Sequence, residues 1–153
     1  MWVLNRRAFI AFLATSAAYL VSSAGRYALG GAAPIRLKFS EVWQAGMKFS
    51  DKTRRLNGKP VAMRGFMAPP LKPDADFYVL TRRPMAVCPF CESEADWPDD
   101  IILVRLARPQ PFIDYNVPIE TTGTLEIGTD IDKETGFVSR LRIVKATFKE
   151  VVG

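Results

Sequence analysis

The chain is 153 residues long, 48% hydrophobic and 24% charged, with a formal net charge of +5, which fits one globular domain with its own core. This mild basic charge is well below that of a nucleic-acid-binding protein, so we expect no nucleic-acid partner. The absence of histidine excludes a Ser-His-Asp triad, a Cys-His pair and a histidine-rich metal site, and it favours a non-catalytic role.

The first feature along the chain is the pair Arg6-Arg7, followed after one spacer by Phe9 and by an uncharged run over residues 8–21. Twin arginines before an apolar stretch are typical of the bacterial twin-arginine export signal. The run is shorter than the ~20 residues that a membrane-spanning helix needs. Small residues end it at Ala24, where a signal peptidase would cut, and a cut after Ala32 or Ala33 is an alternative.

We therefore predict a signal peptide, with a signal helix, over residues 1–24, a flexible lead-in over 25–39 and a folded domain over 40–153. The export machinery is the expected partner of the leader, and the periplasm is the expected location. Two alternatives stay open: a general secretion signal, and an uncleaved leader that tethers the domain to the inner membrane. Contact with a membrane is expected only in the second case.

Ser40 is suited to cap a short helical turn that places Val42, Trp43 and Met47 on one side. Asn57-Gly58 then indicates a tight turn, because glycine readily adopts positive φ.

Five strands are predicted after this turn, and little helix. Gly65 and Gly123 lie within two of them and indicate a bulge or a bend. The apolar run 101–106 indicates a central strand covered on both faces. The pattern predicts an all-β fold, a small five-stranded antiparallel Greek-key barrel of OB type. The predicted strands are residues 61–67, 77–81, 101–106, 117–127 and 137–152.

Cys88 and Cys91 are the only cysteines, in a long segment between two predicted strands. In an oxidising periplasm the favoured outcome is a structural disulfide, and no cofactor is then expected. A zinc or copper site is the first alternative, since thiolate pairs bind both metals and Glu92, Glu94 or Asp96 could complete it. A thiol-disulfide redox centre is the second, although no long helix follows to stabilise a thiolate.

Two basic pairs, Arg54-Arg55 and Arg82-Arg83, stand in predicted loops. They are most simply solvated loop charges. If the loops share one rim of the barrel, the pairs could instead attract an anionic ligand or anionic lipid headgroups.

A wider pattern runs through residues 50–150: Asn-Gly-Lys-x-Val, Gly-Phe-Met-x-Pro at 65–69, Phe77-x-x-Leu80, Cys88-x-x-Cys91 and Gly123-x-Leu125. It resembles a family of small exported bacterial proteins of unknown function with an expected OB-like barrel. Some members resemble neighbours of lipoprotein-release or metal-uptake transporters. The resemblance implies an envelope protein or a transporter as partner and carries no established reaction.

Taken together, the sequence predicts an exported, non-catalytic accessory or binding protein with a structural Cys88-Cys91 loop. A metal-handling protein and a thiol-disulfide oxidoreductase remain the alternatives.

Overall fold

The structure is a computed structural model that describes residues 32–69, 76–86, 99–133 and 136–151. The predicted signal peptide and signal helix lie outside these residues. Within them the chain is mostly β-structure. The strands are β1 (Ile35–Arg36), β2 (Trp43–Gln44), β3 (Lys48–Phe49), β4 (Pro60–Met67), β5 (Phe77–Thr81), β6 (Ile101–Leu106), β7 (Pro118–Ile131) and β8 (Val138–Glu150).

The all-β prediction is confirmed, and the five long strands lie where the sequence places them. The bounds of β5 and β6 match the prediction, whereas β7 continues to Ile131, four residues beyond the predicted end. The reason is that Asp130 and Ile131 still pair with β8, opposite Ser139 and Val138.

The main sheet has six strands in the order β1-β4-β5-β6-β8-β7, and β4 also pairs with β7 along residues 60–66. Strand β4 is therefore bordered by β7 on one side and by β1 and β5 on the other. The predicted all-antiparallel arrangement is wrong, because β1–β4 and β6–β8 are parallel and the sheet is mixed. Parallel partners are far apart in sequence, so local turn signals do not report them.

Two short helical segments precede β4, a 3-10 helix (Phe39–Glu41) and α1 (Asp51–Arg55). Ser50 caps α1, with its Oγ accepting from the Thr53 amide at 3.1 Å. The prediction that Ser40 caps a helical turn is wrong: Ser40 lies inside the 3-10 helix, and Trp43 leaves it to form the hairpin β2–β3. Trp43 stacks on Phe49 there, with ring centroids 4.3 Å apart.

The prediction that residues 101–106 form a central, doubly covered strand is confirmed. Strand β6 lies between β5 and β8. Ile102 and Val104 belong to the main core cluster, and Ile101 and Leu103 face a second cluster with Phe137. Since alternate residues point to opposite faces, both sides of β6 are buried against apolar side chains.

The two mid-strand glycines both lie where another backbone comes close. The backbone of Thr81 crosses so close to Gly65 that a Cβ there would lie 2.5 Å from the Thr81 carbonyl oxygen. Gly123 lies at a register shift between β7 and β8. On β8 the extra residue is Lys145, which adopts φ of 50°, a left-handed conformation that is uncommon outside glycine. The same residue shifts the register between β8 and β6.

Part of the predicted lead-in, residues 25–39, belongs to the folded unit. Strand β1 pairs in parallel with Val61 and Ala62 of β4. Leu37 and Phe39 join the main core cluster, with 1% and 8% of their surface exposed.

Candidate anion-binding pocket

A break in strand pairing on one edge of β4 creates a concave surface in the described chain. Strand β1 pairs with β4 at Val61 and Ala62, and β5 pairs with it at Phe66 and Met67. The Ala62 carbonyl accepts from the Leu37 amide at 3.0 Å. Backbone groups alternate sides along a strand, so those of Arg64 face the same edge, between β1 and β5.

A pocket of about 330 Å³ lies at this break. Two apolar residues anchored in the core, Leu37 and Phe39, contribute to its wall. The remaining lining is polar, and most of it is cationic: Arg36, Lys38, Ser40, Arg64 and Arg82. All five of these residues are exposed, so the pocket presents positive charge to solvent.

Alternation of exposed and buried residues, over residues 36–39 and along β4, explains how the sequence builds this surface. Leu37 and Phe39 point into the core, which turns Arg36 and Lys38 outward. Met63 and Gly65 are buried in the same way, and Arg64 between them is exposed. Arg82 directly follows β5, where its amide donates to the Asp100 carbonyl at 3.0 Å.

Glu120 of β7 orients the arginine at the centre of the break. It lies directly opposite Arg64 in the β4–β7 register, and its Oε2 accepts from Arg64 Nε at 3.1 Å. Arg36 Nη2 is 3.8 Å from the same oxygen, and Lys149 Nζ is 3.4 Å from Oε1. The hydrogen bond from Arg64, assisted by Lys149, lowers the pKa of Glu120 below its ordinary value.

The other two cations at the pocket, Lys38 and Arg82, are not held by a salt bridge within the described chain, although Lys38 interacts electrostatically with Glu41. Nearby Glu41 is engaged elsewhere: its Oε2 is 2.7 Å from Lys52 Nζ and accepts from the Lys38 amide. The hydrogen bond from Lys52, followed by the one from the Lys38 amide, lowers the pKa of Glu41. Positive charge therefore exceeds negative charge at this site.

The lowered pKa of Glu120 gives a pH prediction. A carboxyl whose folded pKa lies below its unfolded value, about 4.3, stabilises the fold above that value, and this contribution is lost as pH falls through the folded pKa. We expect Glu120→Gln to lower the free energy of unfolding at neutral pH, and the difference from wild type to shrink as the solution is acidified below about pH 4.3. Urea denaturation over an acid pH series measures it. Glu150→Gln, an exposed change of the same charge on β8, is the control, and an equal pH profile for both variants would contradict the assignment.

Most of the candidate site residues that the sequence indicates lie outside the described part of the chain. Cys88 and Cys91, with the candidate ligands Glu92, Glu94 and Asp96, lie outside the described residues, and so do Arg6, Arg7 and Phe9. Across the described ranges, no His, Cys, Asp or Glu side chains form a group of three that could hold a metal ion. The disulfide, metal and redox interpretations of the cysteines therefore stay predictions.

Of the two basic pairs, only one contributes to the pocket. Arg82 lines it, whereas Arg54 on α1 pairs with Asp51 at 3.0 Å. Sequence reasoning missed Arg36, Lys38 and Arg64 as site residues. Their signal was the alternation of basic and apolar residues in 35–39 and the single charge within 61–67, which indicates exposure but not proximity.

No helix in the described part of the chain has both the length and the apolar character needed to cross a membrane.

Comparison with known proteins adds little to this geometry. No family model matches the chain, and no curated protein is significantly similar to it. Among solved structures, the chain is similar to a DUF3299 family protein from Pseudomonas aeruginosa PAO1, with 16% sequence identity and a TM-score of 0.49. The similarity covers 80% of this chain and 100% of that one.

Proposed function

We propose that this protein is an exported, non-catalytic binding module that holds a small anionic ligand at the basic pocket. The observation that carries the proposal is the convergence of Arg36, Lys38, Arg64 and Arg82 on one concave surface. Such a surface favours anions, and a pocket of this size lies in the range of small-molecule sites.

We favour binding over catalysis because the described residues around the pocket include no histidine and no unpaired carboxylate for general acid-base catalysis. The chain has no histidine, and the two carboxylates near the pocket, Glu41 and Glu120, are both paired with cations. A group with a lowered pKa stays ionised at neutral pH and is poorly suited to general acid-base work. The arginines and the lysine can attract and orient an anion without any proton transfer.

The proposed scaffold is an OB-like barrel. Its support is the ring of pairings β4–β5–β6–β8–β7, in which β7 returns to β4 and each strand has two neighbours. An OB-fold is a partly open five-stranded Greek-key barrel that binds ligands through strand faces and loops. Gly65 and Gly123, where backbones approach closely, lie where such a sheet would have to coil.

The proposed location is the periplasm, with the export machinery as partner of the leader. Its support is the twin-arginine pattern of Arg6, Arg7 and Phe9 in the sequence. In the same proposal Cys88 and Cys91 form a structural disulfide, and an envelope protein or transporter is the partner that receives the ligand. Fractionation of cells that express the wild type and an Arg6→Lys/Arg7→Lys variant tests export, and a cytoplasmic wild type would contradict it.

Calorimetric titration of the purified full chain with sulfate, phosphate and citrate at low ionic strength tests ligand binding. We expect saturable binding that weakens with salt, because screening reduces Coulomb attraction. Arg64→Gln removes two charge-assisted hydrogen bonds of about 1.5–3 kcal/mol each, so affinity should fall by about a hundredfold or more.

Arg108→Gln is the matched control, because Arg108 is exposed and does not line the pocket. It loses the same formal charge and should bind as wild type does. Absence of binding for all three anions, or equal losses in both variants, would contradict the pocket as the ligand site.

A further inference from the structure

We infer that the pocket recognises a doubly charged phosphomonoester group, in a small molecule or in a lipid headgroup, by means of Arg64 at the break and Lys38 and Arg82 beside it. This inference rests on the proposed anion-binding function and names the chemical class of the ligand.

Arg64 is held by its contact with Glu120. Its Nε donates to Glu120 at 3.1 Å, and within the described chain its two terminal nitrogens form no hydrogen bond. A guanidinium fixed through Nε presents its terminal nitrogens as a planar fork, which matches two oxygens of one phosphate or carboxylate group. Glu120 therefore positions Arg64 without using the nitrogens that a ligand would contact.

The charge of the pocket decides between the two classes of ligand, phosphate and carboxylate. Four cationic side chains line the pocket, and Glu120 neutralises part of the charge of Arg64 and Arg36. Lys38 and Arg82 have no salt-bridge partner among the described residues. A carboxylate offers two oxygens and one charge, which the Arg64 fork alone would saturate. A phosphomonoester offers three terminal oxygens and up to two charges, so it can contact the fork and these two cations together.

The size of the pocket favours a phosphate ester over phosphate alone. The pocket volume of about 330 Å³ leaves room beside a phosphate group for a small organic part. The buried residues Leu37 and Phe39, which also line the pocket, provide an apolar surface for it. We therefore expect an esterified phosphate to bind better than a bare inorganic oxyanion.

The charge of the pocket itself stays constant around neutral pH, which makes the proposal testable. Among the described residues, the charged groups that face the pocket or its lining are Arg36, Lys38, Glu41, Lys52, Arg64, Arg82, Glu120 and Lys149. None is a histidine, and both carboxylates have lowered pKa values. Any change in affinity between about pH 5 and about pH 7 therefore reports the ligand, since the second pKa of a phosphomonoester is about 6.

The experiment is calorimetric titration of the full chain with glycerol 3-phosphate at both pH values. About a tenth of the phosphomonoester is doubly charged at about pH 5 and about nine tenths at about pH 7, so the apparent affinity should rise by about tenfold. Inorganic sulfate, whose charge is constant over this range, should bind more weakly and without pH dependence. Malonate, a dicarboxylate, should also bind more weakly.

Variants separate the pocket from general surface charge. Lys38→Gln and Arg82→Gln should each weaken glycerol 3-phosphate binding and flatten its pH dependence, while Arg108→Gln should change neither. A dicarboxylate that binds as tightly as the phosphomonoester, or a pH-independent affinity for glycerol 3-phosphate, would overturn the phosphomonoester assignment and leave anion binding standing. Failure of every anion to bind would overturn the proposed function as well.

A second arm distinguishes the two sources of the phosphate. Residues 22–35 separate the apolar run from Arg36, and an extended chain of that length reaches about 45 Å at ~3.3 Å per residue. A retained leader would therefore let the pocket reach headgroups. Co-sedimentation with phosphatidylcholine vesicles, with and without phosphatidic acid, tests it: binding that requires phosphatidic acid and is lost in Arg64→Gln supports a lipid source. Binding of glycerol 3-phosphate without vesicle binding supports a soluble one.

Discussion

Gly65→Ala is expected to destabilise the protein by about 3 kcal/mol or more, because overpacking that a backbone must absorb costs at least as much as typical core overpacking. The new Cβ would lie 2.5 Å from the Thr81 carbonyl oxygen and 3.0 Å from two carbons of Leu80. The Leu80 side chain can rotate, but the Thr81 oxygen belongs to the strand that pairs with Phe66. Relief therefore requires β4 and β5 to separate at the edge where the pocket lies.

Thermal unfolding followed by circular dichroism measures this effect. Gly46→Ala is the matched control: Gly46 has φ of 75° and no atom within 4 Å of the added Cβ. Only left-handed backbone strain applies there, about 1–2 kcal/mol. If Gly65→Ala melts at or above the temperature of Gly46→Ala, the close approach of β5 to β4 is not as described.

Tyr78→Phe is expected to cost about 1–3 kcal/mol by leaving a buried hydroxyl without its partner. Tyr78 Oη and Thr121 Oγ1 are 2.6 Å apart, and both residues are buried in the core, at 4% and 0% exposure. Burial raises the pKa of Tyr78 well above its ordinary value, against the smaller lowering effect of the bond to Thr121. The hydroxyl thus stays protonated and paired inside an otherwise apolar core.

A double-mutant cycle separates the hydrogen bond from packing. Thr121→Val alone should also destabilise, because it leaves the tyrosine hydroxyl unpaired. The double variant Tyr78→Phe/Thr121→Val should cost less than the sum of the two by about 0.5–3 kcal/mol, since neither hydroxyl remains to be satisfied. Chemical denaturation gives the four free energies of unfolding. Strict additivity would mean that the two hydroxyls do not interact.

The prediction from sequence succeeded where local pattern and burial agree. The run at 101–106 begins with four consecutive apolar residues, which predicts that both faces of the strand are buried. Strand β6 is covered on both faces. Asn57-Gly58 predicts a turn, and Gly58 indeed has φ of 74°. These signals depend on neighbours in the chain, which the sequence displays directly.

The prediction failed where distant segments decide the outcome. The parallel pairing of β6 with β8 joins Leu103 to Arg142, and no local signal encodes such a partner. The pocket has the same origin. Arg36, Arg64 and Arg82 come from β1, from β4 and from the residue after β5, and only the break in pairing on β4 brings them together.

The left-handed residue Lys145 resets the inside-outside alternation of β8. Ile143 and Ala146 are three positions apart, yet both are fully buried in the main core cluster. In an uninterrupted strand, residues separated by an odd number point to opposite faces. Lys145 is an extra residue in β8 that has no partner in the regular pairing. Because of it, the residues after Lys145 again place alternate side chains in the core. Insertion or loss of a single residue at this point would turn the segment that carries Phe148 to the opposite face, so the number of residues in β8 is constrained at Lys145.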